Sequence, residues 1–258
     1  ESDIRVSSGQ AQLNNLRFNF YDGKGKGKIV LNLGGPNMAY HGQTQLSGVD
    51  MAKLLAGFPS MRGAMTGTLE TQMTFSGVSA SSPDPWAGKD AQGVTTIRKG
   101  RWPKLQLNKT LLQLAHVAQL GAASGDPSAF SSITVQWQLA HDVMTAKSVR
   151  IVGTGITVDG SGTVNLAGPG ALHYEGVAEI EAKQNPLTNI LADLSGATFQ
   201  NGKLHMPFVV NGTLDKPLFQ LKANSRFNPP AAAKPGSKQN PTPQTIQDLF
   251  KLLKPKKK

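Results

Sequence analysis

The sequence predicts a mainly β fold: an antiparallel or mixed sheet, either open as a groove or closed like a β-sandwich. Three observations predict it. The 258 residues include 28 Gly and 16 Pro and are only 6% aromatic, which suits many short strands joined by turns better than long helices. Apolar and polar residues alternate with a period of two in segment after segment, as they do when one side of a strand is buried and the other is wet. Gly, Asn and Asp, the residues that turns favour, separate these segments.

Leu16, Phe18 and Phe20 share one face of the first clear strand, and Asp22-Gly23-Lys24-Gly25 after it reads as a hairpin turn. Residues 67–75 place Leu69, Thr71, Met73 and Phe75 on one face and Thr68, Glu70, Gln72 and Thr74 on the other. The same period runs through Ile133, Val135, Trp137 and Leu139, through Val149 and Ile151, and through Leu204, Met206, Phe208 and Val210. These thirteen apolar residues, from Leu69 to Val210, are the candidates for an apolar binding groove. As periodicity alone presents them, they are equally the filled core of a sandwich.

Three or four short helices are expected to interrupt the strands. Asp50 can cap one with Met51, Leu54, Leu55 and Phe58 turned inward and Pro59 stopping it. Asn108 can cap a second over residues 109–120, closed by Gly121, whose polar stripe is Gln113, His116 and Gln119. Pro186 suits the first turn of a third over residues 187–194. A weak amphipathic pattern of Ile246, Leu249, Phe250 and Leu253 marks a fourth near the C-terminus. Residues 76–85 and 228–244 read as linkers, the latter disordered or extended.

Two domains follow: a β-rich body over residues 1–221 and a Pro/Lys-rich flexible tail over residues 222–258. The formal charge is +11, but nine basic residues and a single acid, Asp248, lie from Lys222 onward, leaving the body near neutral. That distribution excludes a phosphate-tracking nucleic-acid domain. Lys251, Lys254, Lys256, Lys257 and Lys258 are instead candidates for contact with an anionic membrane surface. No run of about 18 apolar residues is present, so no segment spans a bilayer as a helix. The chain opens in strand-like sequence with no initiator Met, which reads as a fragment whose anchor would lie upstream.

Catalytic patterns are missing. The chain has no Cys, and it lacks the G-x-S-x-G, H-E-x-x-H and G-x-x-x-x-G-K-[ST] motifs. His41, His116, His141, His173 and His205 are scattered, with no pair at helical spacing for a metal. His205 alternates out of phase with its apolar neighbours and is expected on the wet face. The Gly23-Lys24-Gly25-Lys26-Gly27-Lys28 run reads as a hairpin with a charged tip, since no helix follows it as a phosphate loop requires. The expectation is a protein that is not an enzyme and takes no cofactor and no metal.

Four segments in order carry a family resemblance. Ser47-Gly48-Val49-Asp50 precedes the Leu54-Leu55 helix, and Met65-Thr66-Gly67-Thr68-Leu69 opens a strand. Gly160-Ser161-Gly162-Thr163-Val164-Asn165-Leu166 follows a G-x-G-x-V-x-L pattern. Met206-Pro207-Phe208-Val209-Val210-Asn211-Gly212-Thr213-Leu214-Asp215-Lys216-Pro217 follows a P-hydrophobic-x-V-x-G-T-L-x-x-P pattern. Over residues 47–221 the chain resembles the C-terminal region of the AsmA family of bacterial envelope proteins, relatives of TamB; residues 1–40 match loosely, and the tail is not a fixed family feature.

The resemblance implies an elongated periplasmic β structure, anchored in the inner membrane through an upstream helix and conducting lipid between the two membranes. The expected partners are a phospholipid or other envelope lipid, an anionic membrane surface and envelope proteins, but no nucleic acid. The alternative is a structural or chaperone-like scaffold for outer-membrane assembly with a closed β core.

Overall fold

The computed structural model describes residues 1–35, 37–79, 88–103, 126, 128–167, 170–181, 189, 192, 196–213 and 216–222. The chain runs through β1 (Asp3–Ser7), β2 (Gln10–Phe20), β3 (Gly23–Asn32) and β4 (Met38–Asp50), then helix α1 (Met51–Ala56) and a 3-10 turn, Pro59–Met61. There follow β5 (Thr66–Ser79), β6 (Lys89–Arg101), β7 (Ala129–Ala140), β8 (Val143–Gly153), β9 (Ile156–Asn165) and β10 (Ala171–Glu181). Short β11 (Thr198–Gln200), long β12 (Lys203–Thr213) and short β13 (Pro217–Leu221) complete it.

All thirteen strands join one sheet. It is a meander in chain order from β1 to β10, then β12, with β11 and β13 pairing with β12. Each of its pairings is antiparallel, so of the two sheet types expected it is the antiparallel one. The sheet is open rather than divided into two stacked layers.

Tight turns make the meander possible. Ser8-Gly9, Tyr21-Asp22, His141-Asp142 and Asn201-Gly202 all have positive φ at both residues, the type I′ geometry whose twist matches that of antiparallel strands. The hairpin that follows β2 thus turns at Tyr21-Asp22, and Gly23 already belongs to β3. The Gly-Lys run expected at a charged tip is a strand: its lysines point to the wet face and its glycines lie beneath the other. Phe18 explains the placement, because its ring occupies the space that a Cβ at Gly25 would need.

Register shifts bend the sheet. They fall between Leu13 and Leu16, between Leu46 and Val49, and between Ala146 and Val149 among others, with Asn15 and Gly48 at positive φ inside two of them. An extra residue in one strand kinks it and strengthens the local twist, which curls a wide sheet.

Helix α1 sits where β4 ends. The Asp50 carboxylate accepts from the Lys53 backbone N–H as expected; Met51 and Leu55 are buried and Leu54 half-buried, whereas Phe58, expected inward, lies beyond the helix end and is 55% exposed. The expectation of three or four helices is not supported: among the described residues α1 and the 3-10 turn are the helical elements, with helical backbone also at Asn189 and Ala192. Short apolar runs at helical spacing are ambiguous, and the first of them has a cap whose bond is formed. Residues 109–120 and the Ile246–Leu253 pattern lie outside the described residues, as does the linker at 228–244. The linker expected at 76–85 begins instead as strand, since β5 continues to Ser79 opposite Met38.

Candidate apolar binding face

Successive pairings align inward-facing residues into rows that cross the sheet. The deepest full row is Val49, Leu69, Ile97, Ile133, Ile151, Val158, Ala178 and Met206, each directly opposite the next. Its members are 0–8% exposed. A flat single layer leaves its face in water, so this end of the sheet is enclosed. Beside it Phe130, Ile156, Ile180 and Leu204 form a shorter buried row, and α1, Met61 and Trp102 pack against the same cluster.

Moving along the strands away from α1, the face opens. The next row contains Leu46, Thr71, Thr95, Val135, Val149, Gly160, Gly176 and Phe208. After it come Met73, Gly93, Trp137, Ala146, Gly162, Tyr174 and Val210, then Phe75, Ala91, Leu139, Met144, Val164 and Leu172. Val135, Val149, Met73, Trp137, Tyr174, Phe75, Met144, Val164 and Leu172 are all half-buried. Leu46, Thr71, Phe208, Val210 and Leu139 in the same rows stay buried, so the face passes from a wholly enclosed row to rows that mix buried with half-buried side chains.

All thirteen apolar candidates lie on this face. Leu69, Ile133, Ile151 and Met206 belong to the enclosed row and Leu204 to the deeper one; Val135, Val149 and Phe208 follow, then Met73, Trp137 and Val210, then Phe75 and Leu139. Sequence reasoning missed Val49, Ile97, Val158 and Ala178, which complete the enclosed row. It also missed the glycines that face inward opposite large neighbours, although a glycine inside a strand pattern is a signal of close approach. The ring of Tyr174 lies over Gly160, and that of Phe208 over Gly176 with Cζ 3.0 Å from where a Cβ would stand. Lys251, Lys254, Lys256, Lys257 and Lys258 lie outside the described residues.

No residue in these rows carries a formal charge. Polarity is confined to a few hydroxyls and the Trp137 indole: Thr71 Oγ1 donates to the Val94 carbonyl at 3.1 Å and meets Thr95 Oγ1 at 2.8 Å, and Trp137 Nε1 donates to Thr95 Oγ1 at 2.9 Å. The Tyr174 hydroxyl is buried without a hydrogen-bond partner, and burial holds its pKa well above the ordinary tyrosine value. Charge sits on the opposite face, where it pairs across strands: Arg98 with Glu70 at 3.6 Å, Arg150 with Asp159 at 3.2 Å, Lys203 with Glu179 at 3.0 Å and Lys222 with Glu175 at 2.6 Å. His205, half-buried on that face, stands 3.6 Å from Glu179. What such a surface offers chemically is the removal of hydrocarbon from water.

No family model, no curated protein and no solved structure matches the chain.

Proposed function

We propose that this chain is a non-catalytic, AsmA-like domain of the bacterial envelope that binds or conducts phospholipid acyl chains along the apolar face of its sheet. The observation that carries the reading is the set of charge-free rows, enclosed at the α1 end and carrying half-buried apolar side chains such as Met73, Trp137, Phe75, Met144 and Leu172 farther along the strands. At ~4.8 Å per strand, a row crossing eight strands extends about 34 Å, room for an acyl chain that fills roughly half of a ~30 Å bilayer core. Each buried methylene contributes about 0.8 kcal/mol without any directional contact. A chain could therefore move between rows without a specific bond being broken.

The periplasmic location, the inner-membrane anchor upstream and the role of the tail lysines in holding anionic headgroups rest on the resemblance and the tail composition. A scaffold role has one observation in its favour. Edge strand β1 is exposed throughout, with Ile4 and Val6 65% and 69% exposed, as a strand-addition site for an envelope protein would be.

Site-specific photocrosslinking in cells tests the lipid reading with an internal control. A photoreactive residue at Met144 or Leu172 faces inward, whereas one at Thr145 or His173 faces out. Phospholipid adducts at the first pair and not at the second are expected. Adducts at neither, or equally at both, would overturn the reading.

A further inference from the structure

From β5 onward several outward-facing cations pair with acids: Arg98 with Glu70, Arg101 with Asp126, Arg150 with Asp159, Lys203 with Glu179 and Lys222 with Glu175. On β2 and β3, Arg17, Lys24, Lys26 and Lys28 make no ion pair among the described residues. Arg17 and Lys26 stand directly opposite each other, an arrangement that costs stability in an antiparallel pair. Glu1 is held to Arg17 through the backbone, its carbonyl accepting from the Arg17 N–H at 2.8 Å, and the Asp3 carboxylate accepts from Asn15 Nδ2 at 2.7 Å; neither side chain makes an ion pair with these cations.

The strand bulge at Asn15 adds shape to this charge. Asn14, Asn15, Arg17, Lys26, Lys28, Gln43, Gln45 and Gln72 contribute to the lining of a shallow hollow of ≈ 360 Å³. Register explains the convergence, with Lys26 opposite Gln45, Gln45 opposite Gln72 and Lys28 opposite Gln43. Cations beside carboxamides bind a phosphate and the hydroxyls next to it, the first by charge and the second by donating and accepting hydrogen bonds. A hollow of this volume takes one headgroup, whereas a protein partner needs about 800 Å² of matching surface.

We propose that the hollow between β2, β3 and β4 is a binding site for the phosphate-bearing headgroup of an anionic lipid, formed by Arg17, Lys26 and Lys28 with Gln43, Gln45 and Gln72. It lies on the face opposite the acyl-chain rows and does not depend on their role. The β2–β3 register holds Arg17 and Lys26 side by side in the free protein, and a phosphate seated between them relieves their repulsion.

The test uses the full chain throughout, so that the tail contributes equally to every arm. Binding to phosphatidylglycerol vesicles and to phosphatidylcholine vesicles is measured at low salt, and free glycerol 3-phosphate is titrated while the Gln43, Gln45 and Gln72 carboxamides are followed by NMR. A cation near an anionic surface is worth about fivefold in binding, so Arg17→Gln with Lys26→Gln should weaken phosphatidylglycerol binding about 25-fold. Arg98→Gln with Arg150→Gln, an equal loss of charge from paired positions, should change it less than about threefold. The first double variant should also melt no lower than the parent, since a like-charge pair is removed. Carboxamide shifts with glycerol 3-phosphate identify a single-headgroup site; vesicle binding without them identifies an array of headgroups on a bilayer. Equal losses in the two double variants, or no loss in the first, would overturn the proposal.

Discussion

The ring of Phe18 on β2 lies across Gly25 on β3, in the space that a side chain at Gly25 would fill. Ring-over-glycine pairs recur inside the sheet and set how closely side chains fill a single layer. Gly25→Ala is expected to destabilise the protein by about 1–3 kcal/mol through overpacking. In a Phe18→Ala background the same substitution should cost much less, because the ring it meets is gone. A double-mutant cycle by urea denaturation measures the coupling, and additive effects would show that the ring is not the obstacle.

The gradient along the strands predicts that the same charge has two outcomes on one face. Val158 is fully buried in the enclosed row, so Val158→Asp strands a carboxylate without a partner and should cost about 3–5 kcal/mol or abolish folding. Met73 is half-exposed, and Met73→Asp should leave a folded protein that no longer co-purifies with lipid. Circular dichroism melts of both variants, with lipid extraction from the second, check this; loss of fold in both would mean that the face is sealed along its whole length.

Tyr174 offers a substitution that should help. Its hydroxyl is buried without a partner, so Tyr174→Phe removes a desolvated polar atom and keeps the ring over Gly160 and near Phe208. Thermal melting should rise, by the equivalent of up to about 1 kcal/mol. A fall would show that the hydroxyl has a partner in solution.

Ion pairs on the outward face predict acid sensitivity. The hydrogen bond from Lys222, with the Lys222 charge next, holds the Glu175 carboxyl below its ordinary value of 4.5. The hydrogen bond from Lys203 does the same for Glu179. A carboxyl whose folded pKa is depressed contributes stability above its unfolded value and loses it as pH falls through the folded one. Urea midpoints should therefore drop between about pH 5 and about pH 3. Glu175→Gln with Glu179→Gln should flatten that drop, and so should added salt, because both groups are solvent-accessible. An unchanged slope in the variant would assign the acid sensitivity to other groups.

Much of the face was legible without coordinates. The alternation of Leu69, Thr71, Met73 and Phe75, or of Leu204, Met206, Phe208 and Val210, assigns each side chain to one of two faces because neighbouring residues in any extended strand point oppositely. The thirteen residues chosen this way do share a face. The Asp50 cap was legible for a similar reason, being a contact between residues three apart. Less legible was the Gly23-to-Lys28 run, where turn-forming composition and strand geometry compete. Phe18, on the neighbouring strand, decides in favour of the strand.

By itself, then, the sequence determined the β class, the faces of the strands and the near-neutral body with its basic tail, all of which follow from local alternation and composition. Only the tertiary structure decided that the strands form one antiparallel sheet and that its apolar face is wholly enclosed beside α1 and partly accessible farther along. It also decided that Arg17 faces Lys26 while Arg150 faces Asp159. Those outcomes depend on register between strands and on curl from bulges such as that at Asn15, and both arise from pairing between segments rather than from the segments alone.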